Sequence, residues 1–384
     1  MSNKKIKLVI LVNDLSFFIS HRLPIAEAAI HKYYNVVIGY GELGGANLKL
    51  LEDKGLNFCF VPMQRGSINL IKDLKSLFCI WRFFKKEKPD IVHLVTIKPY
   101  LYGGIIARLI GTPCLVSAIS GLGTMFIHKD LKSKFLRILL YPIYHLSFNH
   151  FNQTVIVQNK EDANLLVRWG VLRSDKIKLL KGSGVQLENF KNFEYPAGLP
   201  VVCFAARLIM EKGVYEFISA AKLLQKKGVR ARFLLAGSMD LQNPSGLNLN
   251  DLKKIKEEGA VELIGYQKNI SSLYARSHIV CLPSYREGFP KSLMEAAAAS
   301  RAIVTTDVPG CRDVIIPNKT GLLVPVKDSK TLAIAIEDLI KNSEKCINMG
   351  RAGREFAKKE FSIQNIVKRH LEIYDFLYKS QEQG

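Results

Sequence analysis

Along the chain, short unbroken apolar runs alternate with stretches where apolar residues return every three or four positions. The runs Lys7 to Val12, Asn35 to Tyr40, Phe58 to Pro62, Asp90 to Val95, Cys114 to Ala118, Gln153 to Gln158 and Lys176 to Leu180 predict strands. The stretches Arg22 to His31, Ala46 to Lys54, Ile68 to Lys88 and Gly103 to Ile110 predict the helices between them. Strands lacking polar alternation are buried on both faces, so this order implies a mainly parallel sheet with helices on either side.

The segment 186–200, with Pro196, Gly198 and Pro200, reads as a connector. A second series follows it: strands at Val201 to Ala205, Ala231 to Ala236, Val261 to Ile264, Ile279 to Leu282, Ala302 to Thr305 and Gly321 to Val324, a strand-like Asp313 to Ile316, and helices at Gly213 to Lys227, Leu249 to Glu258, Ile270 to Ala275 and Lys291 to Ala299. The fold class is therefore α/β, with two Rossmann-like doubly wound domains, 1–185 and 186–360, and ligands expected at the C-terminal strand ends where the sheets face across a cleft. The tail is helical, and 361–384 is expected to cross back over the first domain.

A length of 384 residues agrees with two cores, and 48% hydrophobic with 23% charged residues excludes disordered and disulfide-scaffold classes. The seven cysteines are scattered without a CxxC pair, which points to a reduced, cytoplasmic chain with no metal site. The apolar run after Lys4, Lys5 and Lys7 is too short for a signal peptide, and no window of about 20 apolar residues suggests a spanning helix. A net charge of +21 directs attention to anionic partners: nucleic acid, lipid or a phosphorylated substrate.

Two strand ends carry the candidate chemistry. After Ala205 come Arg207, a planar fork for phosphate oxygens, and Lys212-Gly213, a point charge before a helix. After Leu282 come Glu287-Gly288-Phe289-Pro290-Lys291 and then Glu295. A helix starting at Pro290 would turn its first amides toward a diphosphate, Glu295 can accept from a ribose diol, and Glu287 can reach sugar hydroxyls. The residues alone leave open that Glu287 caps that helix, that Glu295 faces solvent, and that the two cations pair with Glu211.

Together, Arg-x4-Lys-Gly and Glu-x7-Glu with Gly-Phe-Pro after the first Glu resemble the nucleotide-sugar site of family 4 glycosyltransferases of the GT-B fold. Gly237, Pro309-Gly310 and the run Asn318 to Val324 extend the likeness over nearly the whole chain. The resemblance implies retaining transfer from a UDP-sugar, without metal or cofactor. Arg207 and Lys212 would stabilise the leaving diphosphate, Glu287 would orient the donor, and Gly288, Phe289, Pro290, Lys291, Glu295 and Gly237 would line the nucleotide sugar.

The first half departs from the pattern. Asn13 to Pro24, with His21, stands in place of a Gly-Gly loop. His93 and Lys98 match a His-x-His-x-x-Lys motif of enzymes acting on lipid-linked sugars, with Val95 replacing the second His, and Ser120 with Gly121 and Gly123 stands where some members carry a donor-side His. These residues form the candidate donor or acceptor loops. Residues 1–185 hold 26 Lys and Arg against 12 Asp and Glu, giving +14 of the +21. Within them, Ile71 to Lys88 and Lys129 to Phe151 mix cations with aromatic and aliphatic residues as interfacial helices do.

The expectation is a peripheral enzyme on the inner face of the cell membrane. It would extend an undecaprenyl-diphosphate-linked saccharide for surface polysaccharide, O-antigen or glycan assembly, most similar to transferases of N-acetylgalactosamine. The alternatives are a UDP-sugar epimerase of the same fold and, for the charge alone, a nucleic-acid-binding protein, for which no binding motif is present.

Overall fold

A computed structural model describes residues 5–63, 69–122, 131–190, 194–240 and 243–382. By packing, the chain separates into two compact units, 1–183 with 366–384, and 184–365.

The first unit is built on seven parallel strands: β1 Lys7–Asp14, β2 Asn35–Glu42, β3 Asn57–Phe60, β4 Ile91–Val95, β5 Cys114–Ile119, β6 Gln153–Val157 and β7 Ile177–Leu179, in the spatial order 3-2-1-4-5-6-7. Its helices are α1 Leu15–His21, α2 Leu23–His31, α3 Leu48–Glu52, α4 Leu70–Glu87, α5 Gly104–Leu109, α6 Leu131–Phe148 and α7 Lys160–Arg168, with a π-helical turn at Pro99–Gly103 leading into α5. Adjacent residues of β1 feed opposite cores. Val9 and Leu11 pack with Phe83 and Phe84 of α4, whereas Leu8, Ile10 and Val12 pack with α1 and α2. That two-sided burial is why the strands read as continuous apolar runs.

The second unit has six parallel strands: β8 Val201–Ala205, β9 Arg232–Ala236, β10 Glu262–Gly265, β11 Ile279–Leu282, β12 Ala302–Thr306 and β13 Gly321–Val324, ordered 10-9-8-11-12-13. Helices α8 Val214–Lys226, α9 Leu249–Glu258, α10 Ile270–Ala275, α11 Lys291–Ala298, α12 Ser329–Lys341 and α13 Ser343–Glu360 cover it. The expected strand-like segment at Asp313 to Ile316 is instead a 3-10 turn, Arg312–Val314. Its apolar residues Val314 and Ile315 are buried without joining a ladder.

The last helix, α14 Ile363–Glu382, packs in the first unit from residue 366 onward, so the chain changes unit inside the helix, five residues later than the boundary expected at 360/361. Ile373, Tyr374 and Leu377, spaced to share one helix face, are buried against the β1–β4 side of that sheet. The Tyr374 hydroxyl lies 2.6 Å from His93 Nδ1, and Asp375 accepts from Tyr34 at 2.7 Å.

Candidate active site

In a doubly wound sheet the crevice opens where the connections leave neighbouring strands in opposite directions. In the second unit that point lies between β8 and β11, the two strands that precede Arg207 and Glu287.

The loop after β8 is stiff because the segment after β9 runs alongside it. Leu208 N donates to Ser238 O at 3.0 Å, Met210 N donates to Ser245 O at 2.9 Å, and Ser245 Oγ donates to Glu211. The close approach needs Gly237, since a Cβ there would sit 1.9 Å from Ala206 O. Lys212 ends a 3-10 turn, Met210–Lys212, and Gly213 follows at φ +76°. A Cβ at Gly213 would stand 2.1 Å from Pro283 O, so only glycine brings the β8 loop against the end of β11.

That approach places Lys212 on Glu287. Lys212 Nζ pairs with Glu287 Oε1, and the two side chains are 18% and 11% exposed. The Ser284 hydroxyl, 2.8 Å from the same oxygen, fixes the carboxylate from the other side. The turn carrying Glu287 is clamped as well: Tyr285 N donates to Glu211 O at 2.8 Å, Glu287 N to Pro309 O at 3.3 Å, and Thr306 Oγ1 to Ser284 O. Gly310, at φ +82°, lies under the turn, where a Cβ would meet Glu287 O at 2.5 Å and Gly288 O at 2.6 Å.

Helix α11 begins after Pro290 with no side-chain cap and no acidic residue in its first turn, so Glu287 does not cap it. Phe289 is buried and packs edge-on against Phe361 at 5.7 Å, an anchor for the helix start. Glu295 is not a solvated residue: its side chain is 15% exposed, and burial raises its carboxyl to about 7 against a weak pull downward from Lys291, 3.9 Å away. Arg207 pairs with Asp240, and its side chain is 42% exposed. The cations thus pair with Asp240 and Glu287, not with Glu211. Of the sequence-predicted residues, Lys212 and Glu287 are brought into contact, Arg207 lies earlier in the same loop after β8, and Glu295 lies on α11, the helix that follows the Glu287 turn.

The first unit has a corresponding point between β1 and β4. Thr96 Oγ1 donates to Asn13 Oδ1 at 2.6 Å, and Thr96 stands at φ +75°, a strained setting for a β-branched residue. Lys98 Nζ donates to Asp73 at 2.7 Å and lies over the Tyr102 ring. Ser120 Oγ is buried without a hydrogen-bond partner among the described residues, and Gly121 stands at φ +136°. His21 stacks on Phe17 at 4.0 Å with Nδ1 2.7 Å from Ser20 Oγ. Gly123 lies outside the described residues.

His93 does not join these loops, contrary to the expectation from its motif. It is a fully buried mid-strand residue under α14, against Tyr374 and His370, and burial with His370 and Arg22 nearby holds its imidazole well below the usual value, hence neutral. It faces the interior and not the strand ends.

The family described as "Glycosyl transferases group 1" matches residues 185–356, and "Glycosyl transferase 4-like" matches residues 7–159. The N,N'-diacetylbacillosaminyl-diphospho-undecaprenol alpha-1,3-N-acetylgalactosaminyltransferase of Campylobacter jejuni is 30% identical, covering 86% of this chain and 88% of that protein. The chain belongs to the group 1 glycosyltransferases.

The glycosyltransferase is also 27% identical to the UDP-Gal:alpha-D-GlcNAc-diphosphoundecaprenol alpha-1,3-galactosyltransferase of Escherichia coli, over 84% of each chain. Among solved structures, a glycosyltransferase from Rickettsia africae superposes with TM-score 0.75 at 18% identity, covering 98% and 99% of the two chains. Anabaena HepE in complex with UDP and glucose gives 0.75 at 17%, covering 96% and 99%. These likenesses establish the GT-B fold. The Campylobacter and Escherichia relatives are transferases, and the epimerase alternative falls with them.

Sequence reasoning missed Ser284, Asp240 and Thr96 as supports of the glycosyltransferase site, and singled out Gly310 only for its likeness to the family. Ser284 and Asp240 had one available signal, a polar residue just past an apolar strand. Among the described residues no group of three or more His, Cys, Asp or Glu is placed to hold a metal ion.

Proposed function

We propose that this glycosyltransferase moves an N-acetylhexosamine, N-acetylgalactosamine foremost, from a UDP-sugar to an undecaprenyl-diphosphate-linked saccharide, with retention at the anomeric carbon. The observation that carries the donor reading is the set of Arg207, Lys212 and Glu287 beside the uncapped start of α11. The amides and dipole of that helix favour a diphosphate, and the partly exposed guanidinium of Arg207 adds a fork for its oxygens. As the bond from the anomeric carbon to the diphosphate oxygen lengthens, negative charge grows on UDP. Fixed cations aimed at that charge lower the barrier without metal or cofactor. The acceptor hydroxyl forms the new bond from the same face, and its proton passes to the departing diphosphate. Glu287, held by Lys212 and Ser284, is set to accept from donor sugar hydroxyls. Glu295 accepts from the ribose. Phe289 and Pro290 contribute position, since proline has no N–H.

The relatives' names support the acceptor: both act on undecaprenyl-diphosphate-linked sugars, one with N-acetylgalactosamine. The first unit supports a membrane setting. Helix α4 buries Ile80, Phe83 and Phe84, yet leaves Leu70, Ile71, Leu74 and Phe78 exposed, with Lys72, Lys75, Lys85 and Lys86 on the same helix. Helix α6 likewise exposes Leu131, Phe135, Ile138 and Leu139. Their apolar faces are therefore not wholly spent on the core, and they suit an anionic lipid surface on the inner, cytoplasmic face of the cell membrane, in surface-polysaccharide, O-antigen or glycan assembly. Among the described residues no helix is long and apolar enough to cross a membrane.

The test is incubation with a panel of UDP-sugars and a polyprenyl-diphosphate saccharide, followed by mass spectrometry of the lipid. A lipid product heavier by one N-acetylhexosamine is expected. Release of free sugar with an unchanged lipid would overturn the acceptor assignment.

A further inference from the structure

At the opposite end of the second unit's strands from Arg207 and Glu287 lies a cavity of about 520 Å³, walled by Tyr195, by Arg301 just before β12, and by Ile347, Arg351 and Arg354 of α13. Strand β12 separates it from the site: Thr306, bonded to Ser284 O, is four residues from Ala302, about 13 Å along an extended strand. The cavity is thus distinct from the donor region.

Three guanidinium groups meet there. Arg301 is 1% exposed and donates to main-chain oxygens of Ala299 at 2.9 Å, Ser277 at 3.2 Å and Glu194 at 3.0 Å. Arg354 donates to the carbonyls of Phe190 and Ala298. An arginine does not shed its proton at neutral pH. Burial lowers Arg301 only to about 10. Two carboxylates, Glu194 and Glu355, line the wall; Glu355, which also pairs with Lys358 at 2.5 Å, lies near Arg354, as does Glu188. Arg351 pairs with no carboxylate among the described residues and is exposed at the mouth. The wall itself carries three arginines against two glutamates. Tyr195, whose ring meets His278 edge-on at 4.7 Å, and Ile347 supply an apolar side. The volume falls within the range of small-molecule sites and far exceeds what one phosphate fills.

We propose that this cavity binds a small organic phosphate, its phosphate held by Arg351 and Arg354 and its carbon skeleton resting on Tyr195 and Ile347. Arginine forks match phosphate oxygens in pairs, and the apolar side accepts a ring of sugar size.

The inference stands apart from the donor reading, and the experiment keeps them separate. The full-length enzyme, with its donor site filled by saturating UDP, is titrated calorimetrically with glucose 6-phosphate and with inorganic phosphate. Glucose 6-phosphate should bind saturably and at least tenfold more tightly than inorganic phosphate. Arg351→Glu, at an exposed position outside the transfer site, should weaken that binding at least tenfold and leave glycosyl transfer unchanged. Crystals grown with glucose 6-phosphate should show its phosphate against Arg351 and Arg354. Absence of saturable heat, equal affinity of the Arg351→Glu variant, or density elsewhere would each overturn the assignment. Equal binding of the two phosphates would remove the apolar wall from it.

Discussion

Lys212 and Glu287 are neighbours only because two loops 75 residues apart are pressed together, and each neutralises a charge that is largely out of water. Removing one partner strands the other, a loss of about 3–5 kcal/mol for buried pairs. Lys212→Met is therefore expected to lower both melting temperature and transfer. Glu287→Gln, which keeps shape and a hydrogen-bonding group toward Ser284, should cost less stability while reducing kcat at least a hundredfold, measured with saturating donor. Glu295 adds a pH signature. Its carboxyl is raised from 4.5 to about 7 in the folded chain, so the folded state holds the proton more tightly than the unfolded state, and stability declines as pH rises from about 4.5 through about 7. Glu295→Gln should flatten that decline in melting temperature. If Glu295 holds the ribose as a carboxylate, UDP affinity of the parent enzyme should climb over the upper part of the same window. At this scale the sequence is readable in part. Arg207, Lys212, Glu287 and Glu295 stand out by residue type and spacing, but their partners do not, because Asp240 and Ser284 are ordinary polar residues until the sheet sets them beside the cations. The setting of His93 is hidden for the same reason: what buries it is Tyr374, 281 residues away.

At the scale of elements, the glycines at 213 and 310 act as spacers between loops, not as hinges. Each stands at positive φ and each faces a carbonyl oxygen at 2.1–2.6 Å from its missing Cβ. Gly213→Ala should lower the melting temperature and the transfer rate together, with UDP affinity falling because Lys212 is displaced. Full activity in this variant would show that the two loops have room to separate. The strands are legible to within two residues at their ends, since a parallel strand buried on two faces has few alternatives. Helix α1 is not: Leu15–His21 is only 7 residues long, too brief to establish a period, and it rests on Asp14, whose carboxylate accepts from Ser16 N and Phe17 N at its start. The segment at Asp313 to Ile316 misleads in the other direction, its apolar residues filling a core from a 3-10 turn. Tyr374→Phe tests the fastening of α14: without the hydroxyl 2.6 Å away, His93 keeps a buried ring nitrogen unpartnered, at a cost of about 1–3 kcal/mol, readable in urea unfolding.

For the whole molecule, the uneven charge bears on where the enzyme works. The first unit carries the larger excess of Lys and Arg and also the exposed apolar residues of α4 and α6. Attachment to lipid should then have two parts, one weakened by salt and one not. Leu74→Glu with Phe78→Glu is expected to reduce sedimentation with anionic vesicles at any salt, whereas Lys85→Glu with Lys86→Glu should act mainly at low salt; turnover on a water-soluble acceptor should stay unchanged in both. Equal sedimentation of all forms would detach these helices from the membrane. Charge and composition are enough to disclose this asymmetry, but which apolar residues remain uncovered depends on how α4 is rotated against the sheet.

The return of residues 366–384 to the first unit has a consequence for biosynthesis. During translation the first sheet leaves the ribosome long before the segment that will cover Ile10, His93 and Val116 has been made. Until then an oily face of the nascent first unit lies open while residues 184–365 are polymerised. Final consolidation of the earliest part of the polypeptide is thus deferred until residues 366–382 have emerged, and a stop before them would leave the front of the protein unfinished.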